Sequence, residues 1–136
     1  MDSAESGRAR RHPTHLLGHR GEEVAARFLA RRGMTIVARN LRSRLGEIDL
    51  VARDGATVVF VEVKARQDAS GDPPQAAVDG RKRARLTRLA LGYLARDRQG
   101  ERRCRFDVVA VTFDAAGGAP RVEHFPAAFV AEEWTG

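Results

Sequence analysis

The stretch from Gly46 to Lys64, GEIDLVARDGATVVFVEVK, constrains the fold most, because its pattern is that of a β-hairpin. Its first arm has the two-residue period of a strand. One face carries Ile48, Leu50 and Ala52, and the other carries Glu47, Asp49, Val51 and Arg53. Asp54-Gly55 predicts the turn. The second arm, Val58 to Lys64, is apolar on both faces until Glu62, which predicts a central strand covered on both sides.

Three charged side chains of this hairpin are predicted to share one face. A two-residue loop would place Asp49 opposite Phe60, and a four-residue loop over 54–57 would place it opposite Glu62. In both registers Asp49, Glu62 and Lys64 lie on one face. Ion pairing across the strands is one interpretation. The other is a functional site, because charge at the end of an apolar strand is costly to bury unless it is paired or metal-bound.

Length and composition limit the class of protein. With 136 residues and 43% apolar content, the chain is long enough for one hydrophobic core, which predicts a single domain. Its one cysteine, Cys104, excludes an internal disulfide and fits a reducing cytosol. The sequence has no apolar run of the roughly 20 residues that a membrane span needs. We therefore expect a cytoplasmic protein that does not enter a membrane.

The charge of the chain favours a polyanionic partner. The net charge is +6, and we expect nucleic acid, with a membrane surface as the weaker alternative. The chain holds 22 arginines but only two lysines, Lys64 and Lys82. A lysine amine can take part in proton chemistry, whereas a guanidinium stays protonated. The composition thus draws attention to Lys64 at the hairpin site.

The remaining elements follow from periodicity and breakers. Residues 1–17 are predicted to be a disordered basic tail, and residues 18–136 a single domain. The predicted elements are a helix over Gly21 to Arg32, a strand over Thr35 to Arg39, a basic connection over Asn40 to Arg44, a loop over Ala65 to Val78, a helix over Asp79 to Arg96, a strand over Cys104 to Phe113, a strand over Arg121 to Phe125, and a short helix over Pro126 to Trp134.

Two further features of these elements bear on function. Glu22 lies at the edge of the apolar stripe of the first helix, where it is either a favourable first-turn acid or a third candidate carboxylate. Between Arg81 and Arg105 there are ten basic and two acidic residues, which is either a solvated face or a nucleic-acid surface. The candidate nucleic-acid contacts are Arg42, Arg44, Arg81, Lys82, Arg83, Arg85 and Arg88. For Asp107, we expect a structural ion pair with a nearby arginine.

The sequence resembles the YraN-like proteins, a family of predicted endonucleases distantly similar to archaeal Holliday-junction resolvases. The resemblance rests on GHRGEEVAARFLARRG, ARNLRSRLGEIDLVARDG, VVFVEVKAR and RFDVVAV, in this order. It implies a restriction-endonuclease-like α/β fold, in which helices flank a mixed β-sheet, and a PD-(D/E)xK active site. Asp49, Glu62 and Lys64 match that motif, Glu22 matches the helix glutamate of the resolvase-like branch, and Ile48 replaces the proline.

The implied activity is metal-dependent hydrolysis of phosphodiester bonds, with branched DNA as one substrate. Asp49, Glu62 and Glu22 would hold Mg²⁺ or Mn²⁺, and Lys64 would stabilise charge on the phosphate. Two alternatives remain open: a binding module of the same fold that does not cut, and a basic RNA- or ribosome-associated interaction protein. The sequence does not distinguish DNA from RNA, branched from linear substrates, or a monomer from a homodimer.

Overall fold

Within the residues that the structure describes, a mixed five-stranded β-sheet has one helix packed on each face. The structure, a computed structural model, describes residues 13–68, 80–96 and 103–129. Its elements are α1 (Pro13–Arg31), β1 (Thr35–Ser43), β2 (Gly46–Asp54), β3 (Thr57–Gln67), α2 (Gly80–Arg96), β4 (Cys104–Phe113) and β5 (Arg121–Phe129). The strands lie in chain order, with β3 and β4 parallel and the other neighbours antiparallel. The predicted α/β class is confirmed.

Two hydrophobic layers enclose the sheet. Ala25, Ala26 and Leu29 of α1 pack with Val59 and Val61 of β3 on one face. On the other face, the layer consists of residues from α2 and the same central strands: Leu86, Leu89, Ala90, Ile48, Val51, Val58, Phe60, Phe106 and Val108. Burial on both faces explains the apolar runs 58–61 of β3 and 108–111 of β4, and it confirms that β3 is a central strand. No described helix is long and apolar enough to cross a bilayer.

The β2–β3 hairpin has the register that brings its two carboxylates together. Asp54 pairs with Thr57 and Leu50 pairs with Val61, a register that brings Asp49 toward Glu62 and Val63 of β3. This is the register predicted from the longer loop, although the loop itself is only Gly55-Ala56. Gly55 has φ +64°, a conformation that favours glycine.

The alternation predicted for the first arm of the hairpin is wrong at Ile48. Leu50 and Ala52 pack beneath α1, but Ile48 packs beneath α2 with Val51. The strand therefore changes face at Asp49. Across the sheet, between the pairs Arg39–Leu50 and Leu41–Ile48, Asn40 has φ +52°. This distortion takes Asp49 out of simple alternation, and its carboxylate is directed at the backbone of β3.

Several predicted boundaries are also wrong. Helix α1 begins at Pro13, so residues 13–17 of the predicted tail are helical; residues 1–12 lie outside the described part. Strand β1 continues to Ser43 through the predicted connection. An edge strand tolerates the charged residues there because one side of it faces solvent.

The C-terminal prediction fails for a related reason. Residues 126–129 continue β5 instead of starting a helix, and residues 130–136 lie outside the described part. Pro126 lies on an edge strand, where a missing backbone donor is tolerated. The predicted loop starts later than expected, because Ala65 to Gln67 belong to β3, and residues 69–79 are not described.

Asp107 holds β4 and β5 together, and its predicted ion pair with an arginine is confirmed. Its carboxylate is fully buried and accepts hydrogen bonds from Arg105 Nε at 2.9 Å and from the backbone N–H of Ala127 at 2.9 Å. Nε2 of His124 lies 2.8 Å from its other oxygen. A buried carboxylate with this many partners stabilises the sheet.

Candidate metal centre

Glu22 reaches the sheet because α1 packs unusually close to β3. Gly21 is buried, and a Cβ added there would lie 2.6 Å from Cβ of Ala65. Only glycine permits this approach, and the next residue, Glu22, is held half-buried at the sheet edge. Burial raises the pKa of the Glu22 carboxyl above its usual range, and the neighbouring Glu47 adds to this effect.

Three carboxylates from α1 and β2 converge at this position. Single oxygens of Glu22, Glu47 and Asp49 lie within 4.8 Å of one another. Oδ2 of Asp49 also accepts a hydrogen bond from the backbone N–H of Val63 at 2.8 Å, which fixes the carboxylate against β3. Burial, followed by repulsion from Glu62, raises the pKa of Asp49 to about 8. The centre thus holds a proton at neutral pH or neutralises its charge with a cation.

Asn40 joins two of these carboxylates through its side-chain amide. With the amide nitrogen directed at the acidic groups, Nδ2 lies 3.2 Å from Oε1 of Glu22 and 2.7 Å from Oε2 of Glu47. Carboxylate oxygens only accept hydrogen bonds, and this fixes the orientation of the amide. The left-handed backbone of Asn40, which asparagine tolerates better than most residues, presents its side chain to the cluster.

Glu62 lies beside this cluster but has a different partner. Its side chain is 10% exposed and forms an ion pair with the Lys82 ammonium at the start of α2. Repulsion from Glu62 contributes to the raised pKa of Asp49. Lys64 follows two positions later on β3 and is exposed. Of the predicted site residues, the structure thus brings Glu22 and Asp49 into one cluster, whereas Glu62 lies outside this cluster and pairs with Lys82.

The basic residues predicted to bind nucleic acid lie around the same region. An added Cβ at Gly46, the residue before Glu47, would lie 3.0 Å from Cδ of Arg85, so that α2 covers the start of β2. Nε of Arg42 lies 3.7 Å from Oε1 of Glu47. The other predicted contacts are exposed on the β1–β2 turn or on α2: Arg44, Arg81, Arg83 and Arg88. The predicted basic surface thus adjoins the acidic cluster.

The donor set fits a hard divalent cation. Mg²⁺ and Mn²⁺ prefer carboxylate oxygens, and several carboxylates without a cation repel one another. Sequence reasoning missed Glu47 and Asn40 as members of this centre. The alternation of the first arm did place Glu47 and Asp49 on one face, which was a usable signal for Glu47. Nothing in the sequence indicated Asn40, because its role depends on a local backbone distortion.

The structure defines a small mixed α/β domain with an acidic centre at the edge of its sheet. Residues 21–111 match the family model described as "Uncharacterised protein family UPF0102", and the chain belongs to this family. It is 49% identical to a UPF0102 protein of Pelotomaculum thermopropionicum over 84% of the chain and 95% of that relative. A UPF0102 protein of Nocardia farcinica is 50% identical over 83% of the chain and 88% of the relative. The matched range includes every carboxylate of the centre and both lysines.

Proposed function

We propose that this protein is a metal-dependent endonuclease that hydrolyses phosphodiester bonds in nucleic acid. The observation that carries the proposal is the convergence of Glu22, Glu47 and Asp49 within 4.8 Å, beside Glu62 and Lys64. The YraN-like sequence resemblance supports the same reading. The proposal includes the restriction-endonuclease-like variety of the α/β fold, for which the order of hairpin, crossover helix and parallel strand is suitable.

The carboxylates would hold Mg²⁺ or Mn²⁺. Asp49 is the central ligand, because it is the most firmly placed of the group and is close to both Glu22 and Glu62. When bound, the cation would polarise the scissile phosphate and lower the pKa of a coordinated water. Glu47 extends the donor set beyond the residues predicted from the motif. Asn40 holds Glu22 and Glu47 in place through its amide.

Lys64 would act on the substrate. Its exposed side chain lies on β3 two residues after Glu62, beyond the buried part of the strand. An ammonium there can orient the attacking water and stabilise the charge that develops on a phosphate. The arginines of α2 would hold the nucleic-acid backbone beside the centre.

The test is incubation of the purified protein with single-stranded, linear double-stranded and four-way DNA and with RNA. We expect cleavage of at least one substrate in Mg²⁺ or Mn²⁺ and none in a chelator, because the acidic centre requires a cation for this chemistry. An Asp49→Asn protein purified in the same way controls for contaminating nucleases. Binding without cleavage, together with no thermal response to Mn²⁺, would instead favour the non-catalytic binding module.

Neutralising Arg81 and Arg83 should make DNA binding less sensitive to salt. Each phosphate contact contributes about 0.9 to the slope of log affinity against log salt on duplex DNA. The variant Arg81→Gln/Arg83→Gln should therefore lower that slope by roughly 2, as measured by fluorescence anisotropy in metal-free buffer. Arg31→Gln/Arg121→Gln removes the same charge from exposed positions outside α2 and serves as the control. Equal slopes in the two variants would place the contact surface elsewhere.

A further inference from the structure

Both lysines of this arginine-rich chain lie beside Glu62. Lys64 is two residues away on the same strand, and Lys82 forms an ion pair with the Glu62 carboxylate from the first turn of α2. The side chain of Glu62 is 10% exposed and that of Lys82 is 31% exposed. The ammonium thus covers a largely buried carboxylate and remains in contact with solvent.

In this arrangement the Lys82 ammonium and a divalent cation would compete for the carboxylate oxygens of Glu62. A buried carboxylate needs a counter-charge, and either an ammonium or a divalent ion can provide it. Glu62 is close enough to Asp49 for the two carboxylates to repel each other. Lysine is suited to exchange because it carries a compact charge on a flexible four-carbon stem. An arginine in its place would hold a carboxylate through two parallel hydrogen bonds.

We propose that Lys82 is an exchangeable counter-ion of Glu62, which pairs with this carboxylate in the metal-free protein and moves to a substrate phosphate when a divalent ion is bound. This inference rests on the proposed nuclease function and assigns a positioning role to a residue outside the PD-(D/E)xK motif. The neighbouring Arg81 and Arg83 are exposed on the same turn of helix, so that a phosphate bound there lies within the reach of the released ammonium.

Two substitutions at position 82 should change Mn²⁺ affinity in opposite directions. Lys82→Gln removes the competing charge and should tighten Mn²⁺ binding about tenfold, a free-energy change of about 1.4 kcal/mol. Lys82→Arg should weaken Mn²⁺ binding, because a bidentate guanidinium is harder to displace. Titration calorimetry of the full chain without nucleic acid measures both. Arg96→Gln, at the other end of α2, removes one exposed charge and should leave the affinity unchanged.

Further measurements separate exchange from a merely structural ion pair. In metal-free buffer Lys82→Gln should lower Tm, because Glu62 loses its partner, and Mn²⁺ should restore it. The same variant should lower the salt slope of DNA binding in Mn²⁺ by about 0.9. Unchanged or weaker Mn²⁺ binding by Lys82→Gln would overturn the exchange. In that case Mn²⁺ binding by the wild-type protein would still support the proposed function. Absence of Mn²⁺ binding in wild type and both variants would overturn the two proposals together.

Discussion

Replacing Asp49 with asparagine should stabilise the metal-free protein above pH 8 and reduce metal-dependent cleavage on the order of 10³-fold. The two effects have one cause. Asp49 lies in a partly buried cluster with Glu22 and Glu47, near Glu62, and its pKa is raised from 3.8 to about 8. The amide keeps an oxygen for the Val63 N–H but carries no charge. The substitution therefore removes the repulsion between position 49 and the neighbouring carboxylates, and it also removes the central ligand of the proposed metal site.

The pH dependence of this stabilisation has a definite sign. Between pH 3.8 and about 8 the folded protein keeps the Asp49 proton, whereas the unfolded chain has lost it. The free energy of unfolding of the wild type should therefore fall as pH rises through this window. One pKa unit corresponds to about 1.36 kcal/mol. Because Asp49 is partly solvated and shares its charge with neighbours, we expect Asp49→Asn to gain about 2 kcal/mol above pH 8 and almost nothing near pH 4.

Thermal unfolding at a series of pH values, with and without Mn²⁺, measures this effect. Without metal the variant should have a Tm higher by on the order of 5 °C at the alkaline end. Saturating Mn²⁺ should reverse the order, because it stabilises only the protein that binds it. Glu123→Gln, an exposed acid on β5, controls for the loss of one negative charge. If Asp49→Asn binds Mn²⁺ with wild-type affinity, Asp49 is not a ligand of the metal.

Replacing Lys64 with arginine should reduce single-turnover cleavage by roughly 10² or more, the scale of a positioned catalytic group. The exchange keeps the charge. If Lys64 only paired with a carboxylate, arginine would serve at least as well, because its planar fork suits carboxylates. If the amine positions water or a phosphate, the larger and permanently protonated guanidinium will not take its place.

Mn²⁺ and nucleic-acid binding must be measured together with the cleavage rate of Lys64→Arg. Mn²⁺ and nucleic-acid affinities of Lys64→Arg should stay close to those of the wild type, so that the loss appears in the chemical step. Arg31→Lys makes the reverse exchange at an exposed position of α1 and should be silent in all three measurements. Cleavage near the wild-type rate by Lys64→Arg would leave Lys64 without a catalytic role.

The sequence predicted the fold best where burial dictates composition. An apolar run on both faces identified β3, and hydrophobic periodicity identified α2 almost to its observed bounds, because the core selects these side chains directly. Edge strands were predicted less well. Residues 40–43 and 126–129 are polar or contain proline, yet they pair with one neighbouring strand. Their pairing depends on the adjacent strand, which local patterns do not encode.

The candidate site shows the same division. Alternation along the hairpin brought Asp49 to Glu62, and the register agrees. It did not predict the change of face at Asp49, the positive φ of Asn40 or the bridge from Asn40 to the two glutamates. These features arise from contact between elements that are distant in the chain. For the same reason Lys82, 20 residues after Glu62, was predicted only as a nucleic-acid contact.

The close contact of Gly21 with Ala65 makes formation of the acidic centre depend on the packing of α1 against β3. Glu22 comes from a helix, Glu47 and Asp49 come from a strand, and their oxygens meet only after α1 has docked on β3. A chain in which the hairpin has formed but the helix has not docked lacks the third carboxylate. If the proposed metal site is correct, affinity for a divalent ion will therefore report how completely α1 is docked on the sheet.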